Sequence, residues 1–392
     1  MSSTWSDTTL GHLVKPSTVR HTPKNGDVEQ KYVGLEHIGQ GTGKIIGHGT
    51  SRDVVSTKTV FKKGDLLYGK LRPYLNKVAV APFDGICSTD ILVFPSNDIV
   101  SSELLLYRLL QRDFVEFAQL NSAGVQHPRV KFAALSNFPI SLPNKTTQGK
   151  IVAKIEELLS ELDTSDKKLS ESVSRIKIYK AAALNAAFQG VAKLHPESVT
   201  TIGDSFEVYI GATPSRKEVT YWNGSVNWVS SGEVAFKDIH DTKEKISEVG
   251  LAKSSTRIHP PGTVMLAMIG EGKTRGQAGI IRIPAAHNQN TAAIEVDESR
   301  NVPEYLYYFL MSEYDKTRNI GSGNNQKALN KSRVQAMKVP LPSKRVQSEL
   351  VASVSELLSQ IEQLETAVSN SVMQNYRLKQ SILSKAFKGE LV

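Results

Sequence analysis

Two stretches of this 392-residue chain place basic, aromatic and amide side chains directly after apolar, strand-like runs. Lys70, Arg72, Tyr74 and Lys77 alternate with apolar and turn residues after one run; Lys273, Arg275 and Gln277 follow another. Lysine and arginine suit phosphates and guanine edges, whereas asparagine and glutamine suit adenine edges. Further basic or amide-rich loops carry Gln126, His127 and Arg129 in the first half, and Asn288, Asn290, Asn325, Gln326 and Lys327 in the second. Taken singly, each reads more readily as a solvated loop residue than as a base contact. Taken as clusters at matching places in both halves, they read as a nucleic-acid face.

Motifs for catalysis fare worse. Residues 267–274 fit a relaxed phosphate-binding loop, with Gly272, Lys273 and Thr274 after an apolar strand. Such a loop needs backbone amides and a lysine at a helix N-terminus. Here Ala267 stands where the first glycine belongs, and the residues that follow, through Gly279, start a helix poorly. Gly39, Gly41 and Gly43 could bind a dinucleotide or S-adenosylmethionine, but residues 44–47 read as another strand, which favours a glycine-rich hairpin. Glu271 and Lys273 could end a nuclease motif, but no aspartate lies in the 20 residues before them. The nine histidines are scattered, with no zinc-protease spacing and no nucleophile elbow. The lone cysteine, Cys87, excludes a disulfide framework and reads as a small packed residue. No catalytic or metal site is expected.

The elements that would carry the basic clusters are revealed by an internal repeat. Ile140, Ser141, Leu142 and Pro143 return as Val339, Pro340, Leu341 and Pro342; Gln148 returns as Gln347. Glu157, Leu158, Leu159 and Ser160 return letter for letter as Glu356, Leu357, Leu358 and Ser359, and Phe188 and Gly190 return as Phe387 and Gly389. After each Leu-Pro, apolar residues step by three and four. The first set is Ile151, Ile155, Leu158, Leu162, Leu169, Val173 and Ile176; the second is Leu350, Val354, Leu357, Ile361, Leu364, Val368 and Val372. That is the seam of a coiled coil. One interruption, Ser165 and Asp166, aligns with Leu364 of the other copy. Gly190 and Gly389 sit where C-caps belong. Forty helical residues span about 60 Å.

Between these helices lie two variable blocks of mixed strand and helix. Strands are expected at 31–38, 65–71, 76–81 and 90–94, and at 226–230, 263–269, 278–283 and 292–296. Each block then has an apolar helix, at 103–117 and 302–314. Trp222 and Trp228 read as core. The domain organisation is therefore 1–145, a helical spacer at 146–192, a second block at 193–343 and a second spacer at 344–392. This is an α/β (α+β) chain. If the two seams pack together, the helices form an antiparallel coiled coil and the internal repeat gains pseudo-two-fold symmetry.

Composition sets the outer limits. Lysine and arginine number 48 against 39 acidic residues, a net charge of +9, which favours a polyanionic partner. No apolar run reaches the roughly 18–20 residues of a membrane span, and the first residues lack the features of a signal peptide, so a cytoplasmic location is expected.

The order of blocks and helices resembles the specificity subunit of type I DNA restriction–modification enzymes. The resemblance is carried by the Pro-Leu-Pro-like entry, the following Gln148 or Gln347, and the ending at residues 380–391 with Ala386, Phe387, Lys388 and Gly389. The first copy keeps only the frame of that ending, and Thr147 and Val346 stand where the family usually has glutamate. Residues 270–277 are similar to a loop in some target recognition domains of the family. The resemblance implies a non-catalytic subunit whose two target recognition domains each read half of a split site in double-stranded DNA. It implies helices that set the gap, two docked methyltransferase (modification) subunits, and restriction subunits. S-adenosylmethionine, ATP and magnesium would then belong to those partners. Two rivals remain from the residues alone: a nucleotide-dependent enzyme using residues 267–274, and a coiled-coil adaptor without DNA binding.

Overall fold

A computed structural model describes residues 5–270, 272–319 and 329–392. It divides into two compact units, Met1–Ser170 with Ser369–Val392, and Glu171–Val368. Asn325, Gln326, Lys327 and Glu271 lie outside the described residues.

In the first unit, β1 (Leu66–Gly69) is the middle strand of an antiparallel three-stranded sheet with β2 (Val78–Val80) and β3 (Ile91–Phe94). Leu66 pairs with Val80 on one side and Phe94 on the other. Alternation sends Leu66, Tyr68 and Val78 into a core shared with α1 (Ser102–Leu109) and α2 (Arg112–Leu120). Leu67 and Ala79 face the other way, into a core with Phe61, Cys87 and the five-stranded sheet that contains Lys31–Val33. Burial on both faces explains why these strands are continuously apolar rather than alternating. Strand Trp5–Thr9 pairs antiparallel with Pro139–Pro143, which leads into α3 (Lys145–Leu194).

The second unit repeats this plan. β4 (Val264–Ala267) lies between β5 (Ala278–Ile281) and β6 (Thr291–Glu295), with Val264 opposite Ile280 and Ile294. Val264 and Leu266 pack against α4 (Pro303–Ser312), while Met265 and Ala267 fill a second core with Val229 and Ile281. α5 (Tyr314–Asn319) follows, and strand Val199–Thr201 pairs with Lys338–Pro340 before α6 (Lys344–Phe387). Two additional strands, Glu207–Ile210 and Lys237–Ile239, widen this sheet to five.

Each core also takes in the long helices. Ile151 and Ile155 of α3 and Leu383 and Ala386 of α6 belong to the first core. Phe188 of α3 packs edge-on against Tyr305 and Phe309 of the second, where Leu350 and Val351 of α6 also contribute. In the first unit the two helices run antiparallel: Asp163 and Asp166 meet Lys379 and Asn375 further along from the Ile151–Leu383 end.

Several expectations need correction. Gly190 does not end the first helix, because Val191 is buried and helix formers continue to Leu194; Pro196 then prevents extension. Gly389, at φ 75°, does follow the end of α6. The helix expected at 103–117 is two helices, since Gln111 is extended (ψ 150°) and Arg108 clasps Gln111 and Asp113 across the break. The 302–314 helix is likewise divided into α4 and α5 around Glu313. In the seam, Ile151, Ile155, Leu162, Val354 and Ile361 are buried, and Leu158, Leu169, Ile176, Leu350, Leu357 and Val368 are half-buried. Val173, Leu364 and Val372 are exposed, so the apolar spacing continues beyond the stretches where the helices are buried. Cys87 is fully buried, and burial pushes its thiol up to about 12, so it is an inert core residue. Among the described residues no helix is long and apolar enough to cross a membrane.

Candidate nucleic-acid interface

The two basic clusters occupy equivalent connections. Residues 70–77 join β1 to β2, and residues 268–277 join β4 to β5. A strand follows the second connection, so Lys273 does not face a helix N-terminus as a phosphate-binding loop would require.

The first connection is tightly built. Lys70 N–H donates to the Asp90 carbonyl (2.9 Å), Val130 N–H to the Lys70 carbonyl (3.0 Å) and Arg72 N–H to the Pro128 carbonyl (2.7 Å). These bonds bring the loop carrying Gln126, His127 and Arg129 alongside 70–72. Arg129 grips Asp90 with both ends of its guanidinium (3.0 and 3.1 Å), and Lys70 lies 3.9 Å from the same carboxylate. The Arg129 hydrogen bonds hold the Asp90 carboxyl below its ordinary range. One acid thus answers two cations. Arg72 adds a third, 3.3 Å from the His127 ring. Arg72 and Asn76 both adopt left-handed backbone (φ 50° and 42°), which costs a side-chain-bearing residue roughly 1–2 kcal/mol and is held by the surrounding bonds. Asn76 is buried and donates to the Leu109 carbonyl (3.1 Å). Tyr74, Gln126 and His127 are exposed. Lys77 is half-buried and donates to the Leu35 carbonyl (2.5 Å), so its charge is tied to the frame of the loop.

The second connection is braced from a different direction. Tyr314 OH donates to the Lys273 carbonyl (2.6 Å), Arg318 donates to the Gly272 carbonyl, and Arg275 donates to the Arg318 carbonyl (2.5 Å). Gly276, at φ 85°, comes close to Thr317, where a side chain would crowd. Lys273 is exposed, while Arg275 and Gln277 are half-buried. Asn290 is half-buried beside this loop, and its carbonyl accepts from Met268 N–H (2.9 Å). Asn288 departs from expectation: it is buried, and its side-chain oxygen accepts from Asn290 N–H (3.0 Å), closing the turn rather than facing solvent.

Sequence reasoning missed the residues that hold these loops. Tyr314 and Arg318 stand four apart on α5, a spacing that places both on one helix face. The residues 39–44 form the expected glycine turn, with Gly41 and Gly43 at positive φ, but the strand expected at 44–47 is only a single bridge, Ile38 to Ile45. Trp222 and Trp228 meet edge to face at 5.2 Å, and Trp228 is core, as expected.

The repeated glutamines are structural locks. Gln148 donates to the Pro143 and Ile99 carbonyls (3.1 Å each) and accepts from Ser101 N–H (3.2 Å). Gln347 donates to the Pro342 carbonyl and Asn301 Oδ1 (2.9 Å each) and accepts from Val302 N–H (3.0 Å). Each fastens the start of a long helix to the entry of its domain's apolar helix. Among the described residues, no group of three or more His, Cys, Asp or Glu could hold a metal ion.

The chain thus repeats an α/β domain, each copy extended by a long helix and carrying a differently armed hairpin loop on a common frame. Residues 15–175 and 197–374 match the type I restriction modification DNA specificity domain, and the chain belongs to that family. It is 33% identical over 156 residues to the EcoDI specificity subunit of Escherichia coli, covering 39% of this chain and 35% of the relative. It is 22% identical to the HindI specificity subunit of Haemophilus influenzae, covering 85% and 88% of the two chains. The matches to the EcoDI and EcoBI subunits span 35% and 62% of those relatives' lengths. Its fold is similar to a chain from a type I restriction–modification system (TM-score 0.80, 22% identity, 99% and 98% covered). It is also similar to the HsdS subunit from Thermoanaerobacter tengcongensis (TM-score 0.56, 21% identity, 100% and 98% covered).

Proposed function

We propose that this chain is the DNA-reading specificity subunit of a type I restriction–modification complex. Each unit's hairpin loop reads one half of a split site in double-stranded DNA. The observation that supports this best is the equivalence of the two loops: same strands, same register, different side chains. A frame that is constant while its loop chemistry varies suits two half-sites of different sequence. Lys70, Arg72, Tyr74, Gln126, His127 and Arg129 serve the first half-site. Lys273, Arg275, Gln277 and Asn290 serve the second, with Asn325, Gln326 and Lys327 beside them in sequence. Lys77 and Asn288 hold loop shape instead.

The long helices set the gap between half-sites and offer repeated surfaces to two methyltransferase subunits, with restriction subunits joining that assembly. Chemistry on a base, and the S-adenosylmethionine, ATP and magnesium it draws on, belongs to those partners. The test is genome-wide mapping of methylated adenine in cells expressing this chain with its methyltransferase subunit, against cells lacking the chain. A split motif with a fixed gap that disappears with the chain is the expected result. Unchanged methylation with an active partner would refute the reading. Inserting four residues into the middle of α3 should alter the gap and leave the bases read unchanged.

A further inference from the structure

We propose that Lys44, Asp163, Asp166, Asn375 and Lys379 act as positioning residues that hold the 70–77 loop at one angle to the helix pair of its unit, and so narrow the gap the protein accepts. The inference rests on the recognition reading above. Lys379 Nζ lies 2.8 Å from Asp163 Oδ1 and 2.7 Å from Asp166 Oδ2, joining α6 to α3. Asn375 donates to Ser165 Oγ (3.0 Å) and Asp166 Oδ1 (2.8 Å) from the next turn. Lys44, which belongs to neither helix, donates to the remaining oxygen of Asp163. Two carboxylates and two ammonium groups balance one another, and all are at least partly exposed.

From Lys44 the connection continues to the loop. Lys44 closes the glycine turn through Gly39 N–H (2.9 Å to its carbonyl), and Gly41 N–H donates to the Asn76 carbonyl (3.0 Å). Gln40 bridges to Lys77. A side chain at Gly43 would press on Leu110 at 3.2 Å, so the turn sits flush on the segment between α1 and α2. A second, weaker path runs from Gln380 of α6 to the Leu110 carbonyl (3.4 Å), next to the Leu109 carbonyl that Asn76 holds. Both paths lead to the loop's Asn76.

Stability alone gives no reason for this cluster. Polar residues in a helix seam are generally less stabilising than apolar ones and are useful because they accept one register. In the repeat, Asp163, Ser165 and Asp166 correspond to Glu362, Leu364 and Glu365, while Asn375 and Lys379 correspond to Ile176 and Lys180. Among the described residues, Lys180 forms no ion pair with Glu362 or Glu365, and Leu364 is exposed. The cluster is therefore particular to the unit whose loop is reached through Lys44.

The experiment measures binding of the full chain to duplexes bearing its mapped split site, with the native gap or a gap one base pair longer. Lys44→Gln and Lys379→Gln should each lower the native-gap preference roughly three- to tenfold, as expected for the loss of one or two hydrogen bonds. Lys379→Arg should retain it. Lys44 is exposed, so its variant should fold normally, and simple destabilisation would weaken both duplexes equally. An unchanged preference in both Gln variants overturns the inference while leaving the recognition reading intact. If the wild-type chain selects no split site, both fall.

Discussion

The two units are alike in frame and unlike in how they secure their loops. In the first, the connection between β1 and β2 carries two left-handed residues and is tied to the 126–130 loop, to α1 and, through Lys44, to the helix pair. In the second, the connection between β4 and β5 uses glycine at its left-handed positions and is held by Tyr314 and Arg318 of α5. The lesson is that repetition preserves the strands, the glutamine locks and the aromatic seats of the helices, whereas each loop acquires its own supports. Loop chemistry can then diverge without disturbing the shared frame.

The largest effect should come from the shared frame. Ile155→Ala removes a fully buried side chain from the first core and should cost about 2–5 kcal/mol, measured by denaturant unfolding. Val173→Ala, at an exposed position on the same helix, should change stability by about 0.5 kcal/mol or less. Equal costs would mean that the seam is packed uniformly along its length. Next comes the divergent part. Lys273→Ala with Arg275→Ala should weaken discrimination at one half-site by about 1–3 kcal/mol per lost base contact and leave the other half unaffected. Loss at both halves would break the separation of the two loops.

The glutamine locks offer a sharper comparison, since the two units should respond alike. Gln148→Leu and Gln347→Leu each leave backbone groups without their side-chain partner, the partly buried Ser101 and Val302 N–H and the Pro143 and Pro342 carbonyls among them. Each should cost about 1–3 kcal/mol. A large difference between them would show that the repeat is conserved in letter but not in energetics.

Much of this architecture was legible in the sequence. The 3–4 spacing after each Leu-Pro, and the recurrence of Gln148 and Phe188 as Gln347 and Phe387, revealed two long helices and a duplicated domain. The loops were legible because both follow an apolar strand. Contacts between residues remote in the chain were not. Lys44 with Asp163 and Arg318 with Gly272 join segments far apart in sequence, and no local pattern announces them. Gly190 misled because a glycine's preference for helix ends yields to the burial of Val191 beyond it. Asn288 misled because an asparagine in a loop can serve its own turn as readily as a ligand.

The smallest predicted difference separates the units by pH. The second unit buries His259 and His287, with ring centroids 5.0 Å apart, whereas the buried polar side chains described in the first unit include no histidine. Burial, then the proximity of His259, lowers the His287 imidazole to about 3. Burial also lowers His259, although Glu295 Oε1 accepts from its Nδ1–H (2.8 Å) and opposes the shift, while the neighbouring Arg257 reinforces it. Thr291 and Thr256 complete the surroundings of His287. The His287 ring is thus neutral when folded across this range, the His259 ring is held below its ordinary value, and both take up protons near pH 6.5 once unfolded. Unfolding therefore binds protons below that pH, so this stabilisation is complete above about 6.5 and declines as pH falls toward the folded values. The expected loss is on the order of 1 kcal/mol for the first pH unit below the ordinary histidine value. Hydrogen exchange between pH 7.5 and 5.5 should show the second unit's core opening more readily in acid while the first unit's changes less. His287→Gln should reduce that slope, whatever its effect at neutral pH. Equal acid sensitivity in both units, or an unaltered slope in the variant, would show that the pH response does not come from this histidine pair.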